Sequence, residues 1–211
     1  MAGAPLPVRS FPDVRRRTLL GAALAAALAV PCPGRAQNSV SNVVIDGGPY
    51  VPTPTLIVER MLQLAGVRAD DTVFDLGSGD GRLVIEAARR FGAQGVGVER
   101  EGHLVEMARA AAVEAQVADR VRFIQGDIFD TDLRGATVVT LYLLPRLLER
   151  LRPKLRAELA PGVRIVSHDF PLESWPAEKT LEFDSPEKAA LMLSAQTSLF
   201  LYRVPARAGG N

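Results

Sequence analysis

The chain has 211 residues, and its composition, 47% hydrophobic and 23% charged, is that of a globular protein without low-complexity bias. The formal net charge is +1, but the first 36 residues hold five basic residues and one acidic residue, so positions 37–211 carry 20 Lys and Arg against 23 Asp and Glu. This net charge of −3, without a basic stripe, argues against a nucleic-acid-binding domain, and we predict no nucleic-acid partner.

The first 36 residues have the features of an export signal. Arg15–Arg17 precede an apolar run, Leu19–Val30, and Gly34-Arg35-Ala36 offers small residues for cleavage. The string Arg16–Leu20 is similar to twin-arginine signals. Because the apolar run is shorter than the roughly 20 residues that span a bilayer, we expect cleavage after Ala36 and an exported, periplasmic product. The alternatives are an uncleaved inner-membrane anchor, and a cytoplasmic protein whose start codon is misassigned.

The rest of the chain is predicted to consist of a flexible lead-in at 37–49, one domain at 50–205 and a tail at 206–211. The only cysteine, Cys32, lies in the signal, so the processed chain would have no disulfide, thiolate metal ligand or cysteine nucleophile. We predict no metal site. Contact with a membrane is expected only through an uncleaved N-terminal segment, and the sequence gives no indication of an oligomeric state.

The domain opens with a helical pattern and then alternates strands with helices. Thr53 is predicted to cap the first helix, with Pro54 in its first turn and Gly66 at its end. After the fourth strand, a short helix at 144–151 is interrupted by Pro153, which begins a second helix. The other predicted helices are at about 82–91 and 101–116, and the strands at 72–76, 94–98, 121–125, 136–141 and 163–168.

The C-terminal part shows a strand at about 179–184 and a strand-like run, Leu191–Val204. No helical pattern separates the two, so an antiparallel hairpin is predicted. Together the elements predict the α/β class, with one doubly wound, Rossmann-like, mostly parallel sheet that ends in a C-terminal antiparallel hairpin.

The segment Val73–Arg82 reads as a buried strand, a glycine-rich turn and the start of a helix, which is the usual nucleotide cradle of such a sheet. In its turn, Gly77-Ser78-Gly79-Asp80-Gly81, the third glycine comes one residue too early for a dinucleotide fingerprint. Asp75 and Asp80 flank the loop, and two carboxylates would repel a pyrophosphate but attract a cofactor with an ammonium and a sulfonium group. S-adenosylmethionine is such a cofactor, and we predict that Asp75 and the five turn residues bind it.

Two further carboxylates stand where the next strands end. Glu99 lies where an acid accepts both hydroxyls of a ribose, and Asp127 is placed to accept the exocyclic amino group of an adenine. Ligands of open parallel sheets bind outside the carboxyl ends of the strands, near the point where strand order reverses. Acids at three successive strand ends, together with the glycine turn, therefore predict one cofactor site.

The run Asp75–Arg82 resembles the cofactor loop of class I S-adenosylmethionine-dependent methyltransferases, and Gly95–Glu99 and Gly126-Asp127 fall where that class has its ribose and adenine acids. Within the class, the loop and the Gly-x-Gly-x-Glu motif are most similar to the small mitochondrial-type protein-lysine methyltransferases. The resemblance covers about residues 50–170 and implies methylation of an amino group, with a protein lysine as acceptor. The chain departs from amino-methylating enzymes of DNA bases and glutamine at Tyr142–Pro145, where it lacks the Asn/Asp-Pro-Pro-Tyr motif.

Methyl transfer depends mainly on the alignment of nucleophile, methyl group and sulfur, and an amine nucleophile must also lose its proton. Tyr142 and His168, at the ends of the fourth and fifth strands, are the predicted catalytic residues, the second with its neighbour Asp169. Both have a simpler interpretation, as a packing aromatic and a structural histidine. Tyr50 and Thr53, in the rigid Tyr50–Pro54 segment, are predicted to form a lid over the cofactor.

Three other functions remain open at this stage. A methyltransferase for a small molecule would use the same scaffold, and only the segments 142–145 and 170–190 distinguish it. A catalytically silent module would bind the cofactor without turnover. A dinucleotide-dependent oxidoreductase is disfavoured by the acids of the glycine turn.

Overall fold

The computed structural model of the chain describes residue 48, residues 50–192 and residues 194–206. The predicted export signal and nearly all of the predicted lead-in lie outside these residues. Within them no helix combines the length and the apolar character that crossing a bilayer requires. The helices are α1 Thr55–Ala65, α2 Arg82–Phe91, α3 Gly102–Glu114, α4 Pro145–Glu158 and α5 Pro186–Met192. The strands are β1 Thr72–Leu76, β2 Gln94–Glu99, β3 Val121–Gln125, β4 Val138–Leu141, β5 Arg164–His168, β6 Lys179–Asp184 and β7 Gln196–Arg203.

These strands form one seven-stranded sheet in the order β3-β2-β1-β4-β5-β7-β6. The first five strands run parallel, and β7 pairs antiparallel with both β5 and β6. The strand order reverses between β1 and β4, which places a ligand-binding crevice at the carboxyl ends of these two strands. This arrangement confirms the predicted Rossmann-like, mostly parallel sheet with antiparallel C-terminal strands.

The sheet is buried on both faces because helices cover each of them. On one face α1, α2 and α3 pack against alternate residues of the strands, among them Val73, Val138 and Val166. On the other face the leucines of α4 pack against the intervening residues, such as Phe74 and Ile165. The two-residue period of the strands thus directs their buried apolar side chains alternately into one of two cores.

Three predictions about the helices are wrong. Thr53 does not cap α1, because the N-cap position is Pro54 and no side chain caps the helix. Pro153 does not interrupt the helix after β4, since α4 continues to Glu158. Pro153 has no N–H group, so the carbonyl oxygen of Glu149 has no helical hydrogen-bond partner. Both residues are exposed, and the buried leucines lie on the other side of α4.

The third error concerns the connection within the hairpin: β6 and β7 pair antiparallel as predicted, but α5 separates them, and β7 begins at Gln196 instead of Leu191. The sequence does not predict this helix because its seven residues, about two turns, are too few to show a periodic pattern.

Candidate active site

The glycine turn between β1 and α2 lies at the point where the strand order reverses. Gly79 and Gly81 adopt left-handed conformations, with φ of 53° and 78°, which favour glycine. A Cβ atom on Gly79 would overlap the ring of Tyr50, and one on Gly81 would lie 2.5 Å from the ring of Phe123. The turn is therefore closely packed against Tyr50 and Phe123. Its backbone has the shape of the cradle that the sequence predicts for a cofactor.

Glu99, at the end of β2, is directly attached to this turn. The Gly79 N–H donates to Glu99 Oε2 at 2.9 Å, and the N–H groups of Arg100 and Glu101 donate to Oε1 at 2.8 and 2.9 Å. The carboxylate is thus fixed beside the turn, where the sequence predicts an acceptor for a ribose. Asp127 is exposed beyond the next strand, and its Oδ1 accepts the Phe129 N–H at 2.9 Å.

Asp75 lies at the bottom of the crevice and is only 8% exposed. It is paired in register with Thr140 of β4, and the Thr140 hydroxyl donates to Asp75 Oδ1 at 2.7 Å. Burial raises the pKa of Asp75 to about 7, opposed by the Thr140 hydrogen bond and assisted by the negative charges of Glu99 and Asp80. A cation bound above these carboxylates would favour the ionised form of Asp75.

Arg82 links the segment before α1, Tyr50–Pro54, to the glycine turn. Its guanidinium forms an ion pair with Asp80 at 2.6 Å and donates from Nη1 to the carbonyl oxygen of Thr53 at 2.9 Å. Tyr50 lies over Gly79 and is still 44% exposed. Its pKa is raised, first by burial and then by the charge of Asp80. The residues of the predicted lid therefore border the turn, although Thr53 does so through its main chain.

Tyr142 and His168 are cross-strand neighbours, because Leu141 and Ser167 are paired one residue earlier. Their rings stack with centroids 3.9 Å apart and an angle of 29° between the planes. Burial raises the pKa of Tyr142 to about 12, with a further contribution from the charge of Asp169. The ring of His168 is 0% exposed, and neither of its nitrogens has a hydrogen-bond partner. Its pKa is lowered to about 4 by burial, and the nearby charges of Asp169 and Lys188 act in opposite directions.

An ion pair between the buried Lys188 and the partly buried Asp169 adjoins His168. Lys188 of α5 is 5% exposed, and its Nζ lies 2.7 Å from Asp169 Oδ2 and 2.8 Å from Oδ1. Asp169 Oδ1 is in turn 3.5 Å from His168 Nε2. We refer to Tyr142, His168, Asp169 and Lys188 as the β4–β5 cluster.

Sequence reasoning missed two of the residues that complete the site, Thr140 and Lys188. Thr140 is a polar residue in the apolar strand Val138–Leu141, which is a signal that was available in the sequence. Lys188 gave no signal, because α5 itself was not recognised.

The structure brings most of the predicted residues to the same edge of the sheet, at the carboxyl ends of the parallel strands. Asp75, the glycine turn and Glu99 border the crevice between β1 and β4, and Tyr142 follows β4 directly beside it. Asp127 stands farther along the same edge, after β3. The close-packed glycines, the fixed Glu99 and the buried Asp75 suit a nucleoside that carries positive charge, so the residues present fit S-adenosylmethionine. The role of each residue in binding stays a prediction.

Comparison with known proteins gives concordant results. The family model described as the ANTKMT methyltransferase domain matches residues 75–179. A protein-lysine N-methyltransferase of Saccharolobus islandicus is 43% identical over 137 residues, 64% of this chain and 85% of that protein. The adenine nucleotide translocase lysine N-methyltransferase of Mus musculus is 39% identical over 127 residues, 60% of this chain but only 55% of the mouse protein.

Solved structures share the fold. The crystal structure of an RNA methyltransferase from Salinibacter ruber with S-adenosyl-L-homocysteine superposes with a TM-score of 0.68 at 46% identity, covering 76% of this chain and 98% of that one. A Thiobacillus denitrificans methyltransferase, also with S-adenosyl-L-homocysteine, has a TM-score of 0.59 at 16% identity, covering 75% and 94%.

The fold and the crevice between β1 and β4 thus define a class I S-adenosylmethionine-dependent methyltransferase. Within that class, the chain belongs to the family of the ANTKMT methyltransferase domain.

Proposed function

We propose that this methyltransferase transfers a methyl group to the side-chain nitrogen of a protein lysine. The observation that carries the proposal is the 43% identity to the Saccharolobus islandicus protein-lysine N-methyltransferase, since the alignment covers 85% of that protein. The lysine-methylating relatives from mouse, frog and other animals support the same acceptor class.

The β4–β5 cluster supplies the surface against which an acceptor lysine would lie. Tyr142 borders the first residue of the glycine turn, since Leu76 and Leu141 are paired one residue before. The aromatic ring is half-buried and its hydroxyl is neutral, because the pKa of Tyr142 is raised to about 12. A neutral aromatic face is suited to a lysine side chain, whose stem is apolar and whose amine must be neutral to react.

When bound, S-adenosylmethionine supplies a sulfonium methyl group: the amine lone pair forms the N–C bond as the C–S bond breaks, and the released electron pair leaves neutral S-adenosylhomocysteine. The chain's own residues bring the two reactants into line and keep water away from them. Neither predicted catalytic residue is a suitable proton acceptor at neutral pH. Tyr142 already holds its proton, and His168 is fully buried with its pKa lowered to about 4. The acceptor therefore reacts in the fraction that is already deprotonated.

RNA is the competing acceptor, because the Salinibacter ruber relative carries that name. RNA binding needs basic side chains that are available to phosphates. In the described part of the chain many such side chains have acidic partners, as in the pairs Arg109–Glu106, Arg134–Asp132 and Arg203–Glu178. Together with the net charge of −3 over positions 37–211, this favours a protein acceptor.

The test is a methyl-transfer assay with methyl-labelled S-adenosylmethionine on extract from the source cells. The extract is divided into protein, RNA and small-molecule fractions, and one protein sample is first reductively dimethylated to block its lysines. We expect label in the untreated protein, none in the blocked sample, and N-methyllysine after acid hydrolysis.

The control enzyme is the Glu99→Ala variant. It lacks the carboxylate that accepts the Gly79 N–H, and we expect that it does not bind the cofactor. Label that is resistant to protease and released by ribonuclease would show an RNA acceptor. Label in the small-molecule fraction, or equal labelling of the blocked protein, would likewise contradict the proposal. Binding of the cofactor without any transfer would indicate a silent module.

A further inference from the structure

The chain turns sharply at Asp169, immediately after β5. Asp169 adopts a left-handed conformation with φ of 61°, which is uncommon for a residue with a side chain. Its N–H donates to the carbonyl oxygen of Ser198 at 2.7 Å, and the next amide, Phe170 N–H, donates to the His168 carbonyl oxygen at 2.8 Å. A conformation of this kind is kept only where the surrounding contacts hold it.

Lys188 adds an ion pair to the contacts that hold this turn, which also include a hydrogen bond from the Ser198 N–H to Asp169 Oδ1 at 3.3 Å. Its ammonium group reaches both oxygens of Asp169 and also donates to the carbonyl oxygen of Gln196, which begins β7. Ser185 is fully buried and caps α5, and its Oγ accepts the Lys188 N–H at 3.3 Å. Hydrogen bonds therefore hold both the backbone and the ammonium group of Lys188 in place. Burying an ammonium group is costly, and the pair compensates for this only because both charges are satisfied.

The turn at Asp169 helps to position the rings of His168 and Tyr142, which are predicted to face the acceptor. His168 precedes Asp169 in the chain and is 3.5 Å from its carboxylate, and the imidazole is the surface on which Tyr142 stacks. A continuous series of contacts therefore runs from Lys188 through Asp169 and His168 to Tyr142. The four groups of this series do not include Glu99 or a residue of the glycine turn, and Tyr142 is the member that borders the turn.

From these contacts we infer that Lys188, paired with Asp169, is a positioning residue for methyl transfer: it holds His168 and Tyr142 against the acceptor. The inference rests on the proposed function for the identity of the acceptor, but the series of contacts is independent of it. The titratable groups that face His168 are Tyr142 from β4, the adjacent Asp169, and Lys188 from α5.

The first measurement is an NMR titration of the histidine rings. The chain has two histidines, and a His103→Gln variant identifies the signal of His168. In Lys188→Met the positive charge that opposes Asp169 is lost, so we expect the titration midpoint of His168 to move upward from that of the wild type. Lys179→Met removes the same charge from the exposed face of β6 and should leave the His168 signal unchanged.

The second measurement is kinetic. We expect Lys188→Met to lower kcat by roughly 10- to 100-fold, the effect of misplacing a reacting group, while the Kd of S-adenosylmethionine measured by calorimetry stays that of the wild type. Lys188→Arg, which keeps the charge, should restore part of kcat. Lys179→Met should match the wild type in both quantities.

A folded Lys188→Met protein with an unchanged His168 titration, or with wild-type kcat, overturns the inference. If Lys188→Met does not fold, the double variant Lys188→Met/Asp169→Asn decides, since it leaves no buried charge unpaired. This variant should fold and bind the cofactor but lose kcat, and wild-type kcat in it would also overturn the inference. A shifted His168 titration in an enzyme that labels RNA would instead contradict the proposed acceptor and leave the positioning role intact.

Discussion

Replacing Asp75 by Asn should stabilise the cofactor-free protein and at the same time remove its affinity for S-adenosylmethionine. Asp75 is buried against Thr140, and its pKa rises from 3.8 to about 7, mainly because burial disfavours the charged form. Between about pH 4 and pH 7 the folded protein therefore holds a proton that the unfolded chain has already released. The free energy of unfolding falls as the pH rises from about 4 to 7, and above pH 7 the loss is complete.

The magnitude follows from the shift, at about 1.36 kcal/mol for each pH unit. Relative to a residue that cannot ionise, Asp75 therefore lowers the free energy of unfolding by about 2 kcal/mol at pH 5.5 and by about 4 kcal/mol at pH 8. Asn keeps the hydrogen bond from Thr140 but cannot ionise, so Asp75→Asn should exceed the wild type in unfolding free energy by these amounts. In the wild type we expect the bound cationic cofactor to offset this loss by stabilising the ionised carboxylate, which the variant lacks.

The assay is urea unfolding of both proteins at pH 5.5 and pH 8, followed by calorimetric titration with S-adenosylmethionine. The matched control is Asp71→Asn, just before β1. There burial acts upward, but hydrogen bonds from Thr137, Arg68 and Arg164 hold the pKa of Asp71 below its usual value. That variant should lose stability at both pH values. A gain in Asp75→Asn that does not grow with pH, or wild-type affinity for the cofactor, would refute the reasoning.

The other predictions concern the cofactor, the acceptor and the N-terminus. Tyr50→Ala should weaken S-adenosylmethionine binding in calorimetry because the ring covers Gly79, and unchanged affinity in this variant would contradict the lid. Thr53→Ala should keep the wild-type affinity, since Thr53 contacts Arg82 through its carbonyl oxygen. With saturating cofactor, kcat/KM for a lysine acceptor should rise about tenfold per pH unit from pH 7 toward the lysine pKa near 10.4, and a plateau at neutral pH would reveal a general base. Mass spectrometry of the protein from fractionated cells should find a periplasmic form beginning at Gln37, and a cytoplasmic form that retains residues 1–36 would contradict export.

Much of the fold follows from local patterns that the sequence displays. Strand-like runs bounded by glycine or an acid predicted β1, β3 and β6 at their observed limits. The limits of α2 were also predicted correctly, since its amphipathic pattern is complete within ten residues. The glycine turn and Asp75 were also readable, because a turn with left-handed residues needs glycine and leaves a repeated spacing. Pro153 misled because the consequence of a proline depends on whether the freed carbonyl faces solvent, which only the packing of α4 decides.

The sequence by itself determined the class of the protein, because the cofactor turn and the acids at the strand ends are encoded in short, contiguous segments. What only the tertiary structure decided is the part of the site opposite the cofactor. Thr140 meets Asp75 across two strands that are 65 residues apart, and Lys188 meets Asp169 from a seven-residue helix between β6 and β7. Such pairs depend on strand register and on how α5 packs, and neither is recorded in the spacing of residues along the chain.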